Sequence, residues 1–262
     1  MNTFLHKRVI GVPPSLTTPP ALGGALANGL ARRAMAAMPR LGATERSWPL
    51  PLIAAVLVAM PVFLQAPWVR LAPFSATLFT LPLVLTALVL EARPTARLRD
   101  AGALLVGFSG SWLGGCLFWG WCRLHPLWHL PIEGFALPLA LAGLNGRWRL
   151  AASFYLASLL GTACTDAVMA VTGVMGSWTT VLQAPLEQAP LLLQQAAQGV
   201  LQPVPLLVTS LTGAGLSLLC RRCWQHQDPA WHLAASAVAT TLAVDGLFLA
   251  AALWAPRLSG LI

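Results

Sequence analysis

Apolar residues in this chain fall into long runs rather than into the alternating patterns of soluble helices and strands. After a polar start, the runs cover residues 49–66, 74–92, 101–121, 131–146, 150–172, 204–220 and 231–255. Most are near the roughly 20 residues that a helix needs to cross a bilayer. No strand-like alternation stands out. The pattern predicts an all-α, polytopic transmembrane bundle of about seven spans. The fourth run is the shortest and contains Pro138, so a tilted, broken or re-entrant helix is expected there.

Composition agrees with this reading. Hydrophobic residues make up 57% of the chain and charged residues only 9%, against about 25% charged in ordinary soluble domains. A bilayer is therefore the expected solvent. The formal net charge of +8 would suggest nucleic acid in a soluble protein. Here the basic residues lie between apolar runs, where they set topology and meet anionic headgroups, so no nucleic-acid partner is expected.

With the N-terminus cytoplasmic, thirteen Lys and Arg fall on the cytoplasmic side and three (Arg70, Arg123 and Arg257) outside. Without the N-terminal tail the split is seven to three. The positive-inside rule thus favours seven crossings with the N-terminus inside. Ten of the eleven tryptophans lie near predicted span ends, as indole rings at the headgroup boundary do; Trp112 alone is mid-span.

Residues 1–48 read as a basic, disordered tail preceding a membrane domain at 49–257. Within the tail, Leu22 to Met38 has an alternative reading as an amphipathic helix, and Met35 or Met38 is a candidate start of the protein. A connection at about 173–203 has no Lys or Arg, and its glutamines alternate with Leu and Val. It reads as an amphipathic segment on the outer surface or as a loop capping the bundle.

Small residues recur at helical spacing: Gly110 and Gly114, then Gly107, Ser111 and Gly115, then Thr209, Gly213 and Ser217. They let helix backbones approach in lipid and carry no chemistry themselves. The five cysteines form no disulfide framework, and Cys220-Arg-Arg-Cys223 has no second pair or histidines placed for zinc.

Two groups of polar residues are candidates for function. Asp166 forms an i, i+4, i+8 stripe with Ser158 and Thr162, and Asp245 lies one turn after Thr241. Both carboxylates fall roughly 20–25 Å from the inner helix ends, at matching depth. A charge there costs at least about 2.5–3.5 kcal/mol, which makes these acids candidates for a polar cavity, a proton or cation relay, or a ligand. A hydrogen-bonded carboxyl tying helices together is the equal alternative.

The second group, at the outer boundary, is Arg123, His125, His129 and Glu133. The histidines and the glutamate have i, i+4, i+8 spacing, which on one continuous helix would suit a divalent metal. Pro126 and Pro131 weigh against that helix, so no metal is assigned. A pigment ligand or simple interfacial pairing of His129 or Arg123 with Glu133 are the alternatives. No catalytic motif is present, so no catalytic residue is assigned and the cofactor is unknown.

Four blocks carry a resemblance: VGFSGSWLGGCLFWGWCRLHPLWHLPIE, the earlier FLQAPWVR, the later FYLASLLGTACTD, and VDGLF near the end. In this order they resemble a family of cyanobacterial multi-pass membrane proteins, domain-of-unknown-function family 3120. The resemblance covers roughly residues 50–255, and His129, Glu133, Asp166 and Asp245 lie inside its blocks. It implies a thylakoid or plasma membrane of a cyanobacterium and no known activity.

Three functions follow as expectations. The first is a non-catalytic auxiliary, assembly or pigment-associated protein of a bioenergetic membrane, partnered with a larger membrane complex. The second is a small-solute, ion or proton transporter using Asp166 and Asp245. The third is an outer-face metalloenzyme.

Overall fold

The structure is a computed structural model that describes residues 50–259. The basic tail and the amphipathic reading of Leu22 to Met38 lie outside the described residues. Among those described, every regular element is helical.

Six helices are long and apolar enough to cross a membrane: α1 (Leu50–Leu71), α2 (Pro73–Glu91), α3 (Ala96–Cys122), α6 (Arg149–Val171), α9 (Pro203–Trp224) and α10 (Pro229–Trp254). Between α3 and α6 lie two short helices, α4 (His129–Glu133) and α5 (Leu137–Gly143), joined by a 3-10 turn over Gly134–Ala136. The connection between α6 and α9 holds α7 (Trp178–Gln183) and α8 (Ala189–Val200), and α11 (Pro256–Ser259) ends the described chain.

Local chemistry sets many of these boundaries. Proline stands in the first turn of α2, α5, α8, α9 and α10, where its missing N–H costs nothing. Asp228 caps α10 by accepting a hydrogen bond from the Ala230 amide at 2.9 Å. Gly173 ends α6 at φ +78°, a left-handed conformation that glycine adopts freely. Two helices carry a widened π turn, at Pro61–Gln65 in α1 and at Phe118–Cys122 in α3.

The core is built on α3. In its most apolar window 61% of residues are buried, against 28% or less in the other five long helices. Phe108, Trp112, Phe118 and Phe154 are fully covered. Trp112, the mid-span exception to the aromatic belt, donates its indole N–H to the Ala76 carbonyl at 3.0 Å. Outward positions such as Leu52, Leu81, Leu85, Leu211 and Leu218 remain exposed, as expected of a surface solvated by lipid.

Contacts fix the helix directions. Gly107 meets Ala151 and Gly110 meets Tyr155, so α3 and α6 run parallel. Gly161 against Thr241 and Thr165 against Asp245 make α6 and α10 parallel. Pro51 with Ser236 and Phe63 with Phe248 do the same for α1 and α10. Helix α2 is antiparallel to α3, with Gly102 beside Ala87 and Glu91, and Trp112 bonded to Ala76.

Two consecutive long helices that run parallel require a return between them. The broken segment provides it: Glu133 lies beside Gly114, Ala136 beside Gly110, and Gly143 beside Ala152. The fourth apolar run is thus interrupted rather than continuous, because its α-helical pieces are only 5 and 7 residues long. Tyr155 pins the return, donating its hydroxyl to the Glu133 carbonyl and accepting the Ala136 amide at 3.2 Å.

Arg93, Arg97, Arg99, Arg147, Arg149, Arg221 and Arg222 gather where α3, α6 and α10 begin. Arg149 pairs with Asp228 at 2.6 Å and Arg147 approaches Glu91 at 3.9 Å, which ties the loops of that end together.

Candidate functional site

The site forms where the broken segment meets α6, near the ends of α3 and α10. On α4, one helical turn separates His129 from Glu133, and His129 Nε2 lies 3.2 Å from Glu133 Oε1. The opposite ring nitrogen, Nδ1, faces Asp166 on α6, at 3.1 Å from Oδ1 and 3.0 Å from Oδ2. Both ring nitrogens face carboxyl groups, an arrangement that favours the imidazolium, in which each nitrogen is a donor.

These side chains are only 12–18% exposed, so bulk water screens them little. Burial alone would lower the His129 pKa. The hydrogen bonds and charges of Asp166 and Glu133 outweigh it and raise the value from 6.5 to about 9.

Aromatic rings hold the imidazolium in place. Phe118, in the π turn of α3, lies 4.2 Å from it between ring centroids. Trp119 and Trp178 flank it at 6.2 and 6.3 Å. Trp178 comes from the connection between α6 and α9, and its indole N–H donates to the Arg123 carbonyl at 2.7 Å. The connection therefore supplies a wall of the site. The widened turn matters here because a π turn re-aims side chains that a regular helix would place elsewhere.

Asp245 sits on α10 across from α6. Thr165 donates to its Oδ2 at 2.6 Å. The helices approach closely because Gly161 faces Thr241: a Cβ on that glycine would lie 2.7 Å from the Thr241 hydroxyl.

A cavity of about 380 Å³ joins the two groups of candidates. Its lining includes His129, Glu133, Ser158, Thr162, Asp166, Thr241 and Asp245. Three carboxyl groups therefore share it with a single imidazole, and no Arg or Lys among the described residues lines it. It also contains Gln65, at the end of the π turn of α1, whose amide donates to the Trp112 carbonyl at 2.5 Å and the Cys116 sulfur at 2.9 Å.

His125 and Arg123 lie outside this lining. His125 stacks beside Trp128 at 5.6 Å, because the chain turns at His125 before the 3-10 turn Pro126–Trp128 and never forms the continuous helix that i, i+4, i+8 spacing requires. Among the described residues, no three His, Cys, Asp or Glu are arranged to hold a metal.

Several site residues escape the pattern of polar spacing. Thr165 is adjacent to the Ser158–Thr162–Asp166 stripe and faces a different helix. Trp178 belongs to a connection that reads as surface. Gln65 and Tyr155 carried a signal: an amide near the end of an apolar run, and the only tyrosine in the chain.

The fold and site define a polytopic helical membrane protein with a cavity between its helices that three carboxyl groups line. The chain belongs to the family described as protein of unknown function (DUF3120), which matches residues 54–253. No curated protein matches it, and no solved structure does.

Proposed function

We propose that this protein is a membrane transporter that exchanges a small cation for protons through the cavity between α3, α4, α6 and α10. The observation that carries the reading is the shared lining: Asp166, Asp245, Glu133 and His129 face one cavity that, among the described residues, has no Arg or Lys. Three carboxyl groups that share one imidazole favour a cation, and a cation that reaches Asp166 or Glu133 can take the place of the proton on the His129 ring. Intramembrane acids facing a cavity are the usual marks of proton and cation pathways.

An auxiliary role in a larger complex draws on no feature of this cavity. A pigment or metal on His129 would need a free ring nitrogen, and both are bonded to carboxylates. The parallel run of α1, α3, α6 and α10, with α2, the broken segment and α9 between them, supports seven crossings. The positive-inside rule supports a cytoplasmic N-terminus. The family resemblance favours a thylakoid or plasma membrane of a cyanobacterium.

The test is proton flux in liposomes that enclose a pH-sensitive dye and receive external pulses of sodium, potassium, choline or putrescine. At least one cation is expected to make the lumen more alkaline, and Asp166→Asn to slow that response at least tenfold. No response above protein-free liposomes, or an Asp166→Asn variant as fast as wild type, overturns the reading.

A further inference from the structure

Helix α9 packs loosely. Of its 22 residues only Leu216 and Cys223 are buried. A Cβ added at Gly213, at Gly215, or at Gly246 on α10 would meet nothing within 4 Å. The space left is a lateral cleft of about 340 Å³ between α6, α9 and α10, distinct from the central cavity. Its lining is mainly apolar and includes Val168, Leu216 and Leu249, but Thr165 and Asp245 belong to both spaces. Asp245 therefore stands between the acidic cavity and a cleft on the side of the bundle.

Below it, toward the Arg-rich end, a hollow of about 730 Å³ continues between the same three helices and shares Val238 with the cleft. Leu160, Leu219 and Ala234 line this part, and Arg149 stands at its inner mouth. One polar atom in the cleft is unsatisfied: the Thr209 hydroxyl oxygen is buried and has no hydrogen-bond partner. A buried hydroxyl without a partner is destabilising, which a bound donor would relieve. An apolar channel that ends at a carboxylate and an unsatisfied hydroxyl complements a cation that has N–H donors and an alkyl tail.

The geometry points to Asp245 as the anchoring carboxylate for an amphiphilic primary ammonium that reaches it laterally, from the bilayer, with its alkyl chain in the α6–α9–α10 cleft. This names the substrate class for the exchange reading above and rests on it. The ammonium is held between Asp245 and Thr209, from where the shared wall of Thr165 and Asp245 gives onto the acidic cavity. Primary ammonium is favoured over quaternary, because only the former gives Thr209 a donor.

The test uses the full chain in nanodiscs, with octylammonium, octyltrimethylammonium and methylammonium as probes and protein-free nanodiscs subtracted. Gly213→Leu fills the cleft from an open position and is expected to weaken octylammonium binding at least tenfold while leaving methylammonium unchanged. Asp245→Asn is expected to weaken both. Thr209→Val is expected to abolish the preference for octylammonium over octyltrimethylammonium. Unchanged thermal melts show that Gly213→Leu and Thr209→Val are folded.

Octylammonium binding that is indifferent to both Gly213→Leu and Asp245→Asn overturns the inference. So does a phospholipid retained by wild type and lost from Gly213→Leu, which would make the cleft an acyl-chain seat. These readouts do not involve proton flux. Short-cation exchange without cleft-dependent octylammonium binding defeats the inference alone, whereas absence of any cation-driven proton flux defeats the exchange reading.

Discussion

His129 and Asp166, 37 residues apart in the chain, meet through Nδ1 and both carboxylate oxygens at 3.0–3.1 Å. The contact joins the broken return segment to α6. A single ionic hydrogen-bonded pair therefore both closes the bundle and lines its acidic cavity. The same imidazole reaches back to Glu133 through Nε2, so the protonated ring, with an N–H on each nitrogen, stabilises two carboxylates on two elements.

This linkage makes stability depend on pH. The His129 pKa is raised from 6.5 to about 9 in the folded protein. A raised value means that the folded state binds the proton more tightly than the unfolded state does. The stabilisation is complete below about pH 6.5 and is lost as pH rises through about 9. Melting followed by tryptophan fluorescence should show wild type losing stability across that window, and His129→Gln should flatten the slope there. An equally steep slope in His129→Gln would remove His129 as its source.

Tyr155 holds the return segment by two hydrogen bonds, one given to Glu133 and one taken from Ala136. Tyr155→Phe keeps the ring and leaves the Ala136 amide without its partner. The expected cost is about 1–3 kcal/mol. Hydrogen exchange should quicken over residues 129–143 and stay unchanged in α10. Uniform quickening along the chain would mean that the hydroxyl has no local role.

The glycines separate into two kinds. A Cβ at Gly107 would strike the Ala151 carbonyl, and one at Gly114 would lie 2.9 Å from the Glu133 Cα. Backbone cannot swing aside as a side-chain tip can, so Gly107→Ala and Gly114→Ala should each cost about 1–3 kcal/mol. Gly213→Ala and Gly246→Ala meet open space and should leave the melting temperature nearly unchanged or slightly raised. Similar losses at all four positions would contradict the packing described here.

The helical bundle was legible because the bilayer imposes long apolar runs, and six of the seven runs appear as long helices. The interruption of the fourth was legible only as a possibility, from its short length and Pro138. Residue type and depth exposed Asp166 and Asp245. Their convergence with His129 on one cavity was not visible, since it depends on parallel packing of α3, α6 and α10 across 37 to 80 residues of sequence. The i, i+4, i+8 spacing of His125, His129 and Glu133 misled for a local reason. Spacing places residues on one face only where the helix is continuous, and the chain turns at His125. Thr165 was hidden because a polar stripe read along one helix does not say which residue beside it faces a neighbour.

Topology can be tested independently of function. The loops at Pro94 and Gly146 share an end, joined by the approach of Arg147 to Glu91 at 3.9 Å. Glu187 belongs to the connection after α6, at the end where Trp178 meets Arg123. Single cysteines from Pro94→Cys, Gly146→Cys and Glu187→Cys, in a background lacking the five native thiols, can be labelled from outside sealed cells with a charged maleimide. With the Arg-rich end cytoplasmic, only Glu187→Cys should react before lysis, and all three after it. Labelling of Gly146→Cys but not Pro94→Cys from outside would mean that the broken segment does not return across the bilayer, and would remove the wall that carries His129 and Glu133 from the site.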